Sequence, residues 1–408
     1  MHLIWLFLRR QCMGPLIDNF SNFVETGMTS MRNKCSIFQR LRRLATVAFS
    51  AVLLTSTAYA QDIVLGQSVA LSGPAQELGR EMQLGAKTYF DQVNAAGGIK
   101  GRKIVLKTLD DGYEPPRAEA NTRQFVEDGD VLALFGYVGT PTSAASIPLA
   151  TKAKVPFFGA FTGAELLRTP LNRYVFNVRA SYFDETEAIV RQMTQGGVTK
   201  IAVFYQNDSY GQAGLAGVEK ALAKRNLQVA AKATVERNST DVAAALATML
   251  AAKPEVIVMI SAYSSCAEFI KQAKAKQLPT QFVNVSFVGT RALAKALGPA
   301  ADGVMISQVM PPPTASKFAV IVDYQRALRA AGVNDFSYTS LEGYIAARIF
   351  VEALRRGGDA SREALIRSLE SLRNVDVGGF AVTLSPDNHN ASRFVEMTVL
   401  NKAGEVRY

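Results

Sequence analysis

"LFGYVGTPTSAASIPLA", residues 134–150, runs from an apolar strand through a turn of Gly, Thr and Pro into a helix of small residues. A strand that hands the chain to a helix across so short a turn is half of a parallel βαβ unit. The turn also sets the hydroxyl of Thr140 beside the free backbone N–H groups of a helix start near Pro141 to Ser143. Such a start favours an anion by a few tenths to about 2 kcal/mol, depending on burial. An ordinary N-cap has the same composition. A second turn weighs against that reading: "FFGAFTGAELL", residues 157–167, closes the next strand at Ala160 and Phe161 and offers Thr162. Two threonine turns at the carboxyl ends of neighbouring strands lie where doubly wound sheets bind ligands.

The chain on either side keeps the same rhythm. "DIVLGQSVAL" reads as a strand, and "AQELGREMQLGAKTYFDQVNAAGG" as a helix with Leu78, Met82, Ala86, Tyr89 and Val93 on one face. "RKIVLKTLD", "PRAEANTRQFVED", "VLALFGYV", "SAASIPLATKAK" and "VPFFGAF" continue the alternation, which predicts a parallel sheet with helices on both faces. After "NRYVFNVRAS" the pattern restarts through "KIAVFYQND", "GQAGLAGVEKALAKRN", "EVIVMIS", "SCAEFIKQAKAKQ" and "QFVNVSFVG". The fold class is therefore α/β, with two doubly wound lobes. Beyond "GVMISQVMPPP" come mostly helices and two short strands, "FAVTL" and "FVEMTVLN". So few strands do not make a third lobe, so this tail is expected to pack back on the two already formed.

Residues 31–60 read as a secretory leader: basic "MRNKCSIFQRLRR", a 15-residue apolar run, then "AYA" before Gln61. That run is short of the roughly 20 residues a membrane-spanning helix needs. Residues 1–30 read as an upstream extension, and the mature chain is expected to start at Gln61, beyond the inner membrane. It carries 38 Lys and Arg against 33 Asp and Glu, a scattered net of +5, which argues against a nucleic-acid partner.

Catalytic and metal chemistry find little material. The mature chain has one cysteine, Cys266, and one histidine, His389, too few for a Cys/His metal cluster. "SPDNHNASRF" predicts a solvated loop for His389. No GxxxxGK[ST], GxGxxG or GxSxG motif occurs in its expected context. Asp110 and Asp111 form the clearest carboxylate pair, but at a strand end they are read as turn and cap residues. No cofactor is expected.

The stretches "VALSGPAQELGREMQLGAKTYFDQVNAAGGIKGRKIVLKTLDD", "FGYVGTPTSAASIPLATKAKVPFFGAFTGAELL", "AVFYQNDSYGQAGLAGVEKAL" and "YTSLEGYIAARIFVEAL" resemble the periplasmic branched-chain amino-acid-binding proteins. These are solute receptors of ABC importers, of the leucine/isoleucine/valine-binding kind, and the resemblance runs from Asp62 to about Tyr408. It implies a hinge of three crossings, with residues 61–180 plus 312–382 in lobe 1 and 181–311 plus 383–408 in lobe 2. It also implies that Gly139 and Thr140 hold a ligand carboxylate, while Ala160 and Thr162 contact carboxylate and ammonium. By the same resemblance Leu78 stands where a tryptophan is common, Tyr210 faces the cleft, and Tyr182 is at the first hinge. Tyr263 lies over the pocket, with Phe336 and Tyr338 at its mouth.

Two positions depart from the pattern. Gly139 replaces a member of the family's cysteine pair, and Ser286 stands where a glutamate meets the ligand ammonium. An ammonium buried without a carboxylate is costly, so the ligand is expected to lack one, unless Asp208 or Glu342 substitutes. Tyr137, Tyr182, Tyr210 and Tyr263 would suit a flat or bulky acid. The expected protein is a monomeric periplasmic receptor that captures a small carboxylate, an amino acid or an aromatic or aliphatic acid, and delivers it to an ABC permease. The alternatives are an enzyme or a ligand-sensing domain on the same fold.

Overall fold

The computed structural model describes residues 61–358 and 361–408; the predicted leader lies outside them. Five parallel strands make the first sheet: β1 (Ile63–Val69), β2 (Ile104–Asp110), β3 (Val131–Phe135), β4 (Phe157–Phe158) and β5 (Val175–Phe176). Their order is β2-β1-β3-β4-β5. Strand order reverses at β1, so a crevice opens outside the carboxyl ends of β1 and β3. "VLALF" of β3 is buried along its whole length, as an inner parallel strand covered on both faces must be.

The second sheet repeats the plan with β6 (Ile201–Gln206), β7 (Lys232–Val235), β8 (Val256–Ile260), β9 (Gln281–Asn284) and β10 (Met305–Gln308), all parallel. β11 (Val375–Asp376) and β12 (Ala381–Val382) form a small separate ribbon. β13 (Glu396–Leu400) joins antiparallel to β10, and β14 (Val406–Arg407) follows it, giving the order β14-β13-β10-β9-β8-β6-β7. The reversal here falls between β6 and β8. "MISQ" of β10 extends this sheet by a strand that the sequence reading passed over.

The tail packs back as expected. Its long helix Tyr338–Arg356 lies on helix Gln76–Ala95 of the first lobe. Gly85 and Gly343 allow the close approach, because a Cβ on either would strike backbone of the other helix. Three segments link the sheets: around Asn177, from Val309 to Pro313, and around Asn390. The first and third run side by side, with Asn177 N–H donating to His389 O (2.8 Å) and Ala391 N–H to Asn177 O (2.9 Å).

That pairing corrects the expectation for His389. Its ring is 1% exposed, stacked on Phe176 at 3.9 Å, with Nδ1 3.0 Å from Val175 O. The polar turn around it is solvated, but the ring itself fills the space between two crossings. It is a packing residue of the hinge.

Candidate functional site

The helix after the first threonine turn starts one residue earlier than the sequence reading put it, at Thr140, and no side chain caps it. Gly139, at φ 104°, is the N-cap of helix Thr140–Lys152. Phe161 N–H donates to Tyr137 O (2.7 Å) and Gly139 N–H to Phe161 O (3.2 Å), so the two turns are tied backbone to backbone. The tie brings the Thr140 and Thr162 hydroxyls to 2.6 Å from each other. Ala160 takes part through its carbonyl, which accepts from Thr162 N–H at 2.9 Å. The hydroxyl of Ser143, one turn into the helix, is buried with no partner.

Side chains from both lobes converge on this seat. The Tyr182 hydroxyl lies 3.4 Å from Thr162 Oγ1, and its ring lies 5.4 Å from that of Tyr210. Phe287, from the turn after β9, packs on Tyr210 (4.5 Å), Phe161 (5.3 Å) and Tyr113 (5.9 Å). Gln206 Nε2 donates to the Tyr113 hydroxyl at 3.3 Å. The Tyr210 hydroxyl is buried and unpartnered. Burial pushes the phenol of Tyr182 up to about 12, so it stays a neutral donor near pH 7.

A charged cluster adjoins the aromatic one. Arg179 lies over the Phe161 ring at 4.4 Å, places Nε 3.2 Å from Glu342 Oε1, and donates from Nη2 to Ser286 Oγ at 2.6 Å. Glu185 accepts from Ser286 N–H (2.8 Å), Ser286 Oγ (3.0 Å) and Ser307 Oγ (2.5 Å). Burial pushes the Glu185 carboxyl up, with Arg179 pulling the other way. Burial lowers Arg179 too, but Glu342 and Glu185 outweigh that and leave it raised. Glu342 is pushed up to about 7 by burial, against the pull of Arg179.

The cleft is closed. Phe161, Arg179, Ser286, Gln308, Tyr338 and Glu342 are among the residues lining a cavity of about 10 Å³, room for about one water. A larger molecule must part the lobes.

Of the predicted site residues, Gly139, Thr140, Ala160, Thr162, Tyr182, Tyr210, Ser286 and Tyr338 come together at this cleft. Leu78 sits at its rim against Gly289 of the second lobe, and Tyr263, at the start of helix Tyr263–Ala275, faces Glu77. Phe336 lies further out, 5.8 Å from Tyr324. Tyr137 is a correction: its hydroxyl meets Thr122 Oγ1 at 3.0 Å and its ring packs on Phe157 at 4.8 Å, inside the first lobe. Tyr137 lies beyond the end of β3, after the left-handed Gly136 (φ 63°), and its side chain takes the core side. Asp208 is occupied as a helix cap, accepting from Tyr210 N–H (2.9 Å), and as a partner of Arg237 (3.3 Å). The sequence reading missed Tyr113, Arg179, Glu185 and Phe287. For Arg179 there was one usable signal, a charged residue beside an apolar, strand-like segment.

Two doubly wound lobes meeting at the carboxyl ends of their strands, with polar seats facing across a cleft, define a type I periplasmic binding protein. Residues 62–405 match the periplasmic binding protein family. A crystal structure of a possible leucine/isoleucine/valine-binding protein from Rhodopirellula baltica superposes with a TM-score of 0.83 at 36% identity, covering 86% of this chain and 97% of that one. A substrate-binding periplasmic protein from Ralstonia solanacearum gives 0.80 at 33% identity, over 85% and 99%. The Leu/Ile/Val-binding protein homolog 8 of Brucella suis is 25% identical over 86% of this chain and 92% of its own length. The chain belongs to the branched-chain amino-acid-binding family of periplasmic proteins, whose members here are binding proteins rather than enzymes. Among the described residues no helix is long and apolar enough to cross a membrane.

Proposed function

We propose that this protein captures a small carboxylate between its lobes in the periplasm and hands it to an ABC-type permease. The observation that carries the reading is the pair of threonine hydroxyls, 2.6 Å apart, at the start of helix Thr140–Lys152. A carboxylate entering there would take both hydroxyls and the helix N–H groups in place of their contact with each other. Because the ligand would touch both lobes, it stabilises the closed form, and the closed form is what a permease can distinguish. The cleft needs no covalent step. Among the described residues the one cysteine, Cys266, lies in the second lobe's core with its thiol pushed well up by burial, and His389 lies in the hinge.

A thermal-shift screen of residues 61–408 against amino acids, aromatic acids, short dicarboxylates and amides tests the reading. A ligand at 100 times its Kd should add about 2.7 kcal/mol. Stabilisation by acids and not by their amides is the expected result. Stabilisation by amides alone, or turnover of a bound acid, overturns it.

A further inference from the structure

Building on the carboxylate reading above, we propose that the ligand carries a second oxygen acceptor, a 2-oxo group or another carboxylate, and that Arg179 selects it. The hydrogen-bonding capacity left over in the closed cleft is mostly capacity to donate. Arg179 is 1% exposed and lines the cavity, yet its Nη1 makes no hydrogen bond. A guanidinium has five N–H donors and no acceptor, so only an acceptor atom, such as a carbonyl or carboxylate oxygen, can meet that one. The buried hydroxyls of Tyr210 and Ser143 are unpartnered as well and can also donate. Against these donors stand the buried, unpartnered atoms Gln206 Oε1 and Asn284 Oδ1, which only accept.

An ammonium group would fare worse at this end. It could approach Glu342, but it would stand beside the Arg179 guanidinium and leave Nη1 unmet. Glu185 is no free partner, since three donors already hold it. Glu342 faces Arg179, Glu185 from helix Tyr182–Gln195, and Arg168, and the balance leaves it titrating at about 7. An acceptor bound to Arg179 favours protonated Glu342, so its affinity falls as the pH rises through 7. An ammonium favours the ionised form and gives the opposite slope.

Calorimetry on residues 61–408 with two shape-matched series tests the assignment. One series is 4-methylpentanoate, 4-methyl-2-oxopentanoate and leucine; the other is 3-phenylpropanoate, phenylpyruvate and phenylalanine, with succinate as a free-standing dicarboxylate. A 2-oxo acid or succinate is expected to bind at least about tenfold tighter than the simple acid and the amino acid, one strong hydrogen bond's worth. Arg179→Lys should remove most of that margin, and Glu342→Gln should flatten the pH dependence between pH 6 and 8 of whatever 2-oxo acid affinity that variant shows. If the amino acids bind tightest, or the affinity rises with pH, the assignment to Arg179 is wrong while the carboxylate seat stands. Binding of none of these acids overturns the seat, and this proposal with it.

Discussion

Thr162 is the residue on which the carboxylate seat depends most directly, because its hydroxyl touches Thr140 at 2.6 Å and faces Tyr182 at 3.4 Å. Thr162→Ala removes one hydrogen bond to a charged group, worth about 1.5–3 kcal/mol, so any acid that binds should lose roughly ten- to a hundredfold in affinity. Calorimetry on the variant decides it, and an unchanged Kd removes the second turn from the site. Asp111 offers a separate test in the same lobe. Burial lifts its carboxyl to about 6, although Ser68 Oγ donates to it at 2.7 Å and Tyr113 N–H at 2.8 Å. A carboxyl raised on folding stabilises fully below its unfolded value near 4 and loses that stabilisation as the pH climbs through about 6. Asp111→Asn should therefore gain stability relative to the parent between pH 4.5 and 7.5, on the order of 1–3 kcal/mol. Denaturant unfolding at both pH values measures it; a constant difference would show that Asp111 does not titrate in that window.

The elements that carry these residues are held by local devices, and helix Tyr182–Gln195 shows the consequence. Ser181 Oγ accepts from Asp184 N–H at 3.0 Å while Asp184 Oδ2 accepts from Ser181 N–H at 3.1 Å, a reciprocal capping box. The helix brings Tyr182 and Glu185 into the cleft, so its first turn must be firm. Ser181→Ala should cost about 1 kcal/mol, seen as a lower unfolding midpoint, and weaken ligand binding with it. An unchanged midpoint would mean that tertiary packing alone fixes this turn. The existence of such elements was legible in the sequence because apolar periodicity is local: "VLALF" and the helix stripe from Leu78 to Val93 can be read within a few residues. So were the two threonine turns, since each stands at the end of its own strand. The charged cluster was not. Arg179 and Glu185, Ser286, and Glu342 come from three separated segments, and nothing local tells Arg179 in "NVRAS" that Glu342 will lie 3.2 Å away. His389 failed for the same reason, its polar neighbours describing the turn but not the stack on Phe176 beneath it.

The two lobes stand closed on each other, and polar contacts around the rim hold them so. Arg237 of the second lobe pairs with Glu114 of the first at 2.8 Å, and Asn238 Nδ2 donates to the same carboxylate at 2.8 Å. Elsewhere on the rim Arg291 reaches across to Glu81 and Asp335. These pairs are partly exposed, so each is worth no more than about 1 kcal/mol and is weakened by salt. Such a margin still matters. A receptor whose binding-competent form is a fraction of the population shows an affinity reduced by that fraction. Within the cleft the closed form also carries buried donors without partners, which favours opening when no ligand is bound. The rim pairs and the unmet donors thus act in opposite directions on one equilibrium between lobes. Removing both rim cations with Arg237→Ala and Arg291→Ala should shift that equilibrium by roughly 1–2 kcal/mol toward the open form. Small-angle scattering of the unliganded double variant should then give a larger radius of gyration than the parent. Saturating ligand should bring the two profiles together, with the variant's Kd raised by up to about thirtyfold. Identical unliganded profiles would place the closing force in the Phe287 aromatic cluster instead, and a Phe287→Ala variant would then be the one to open.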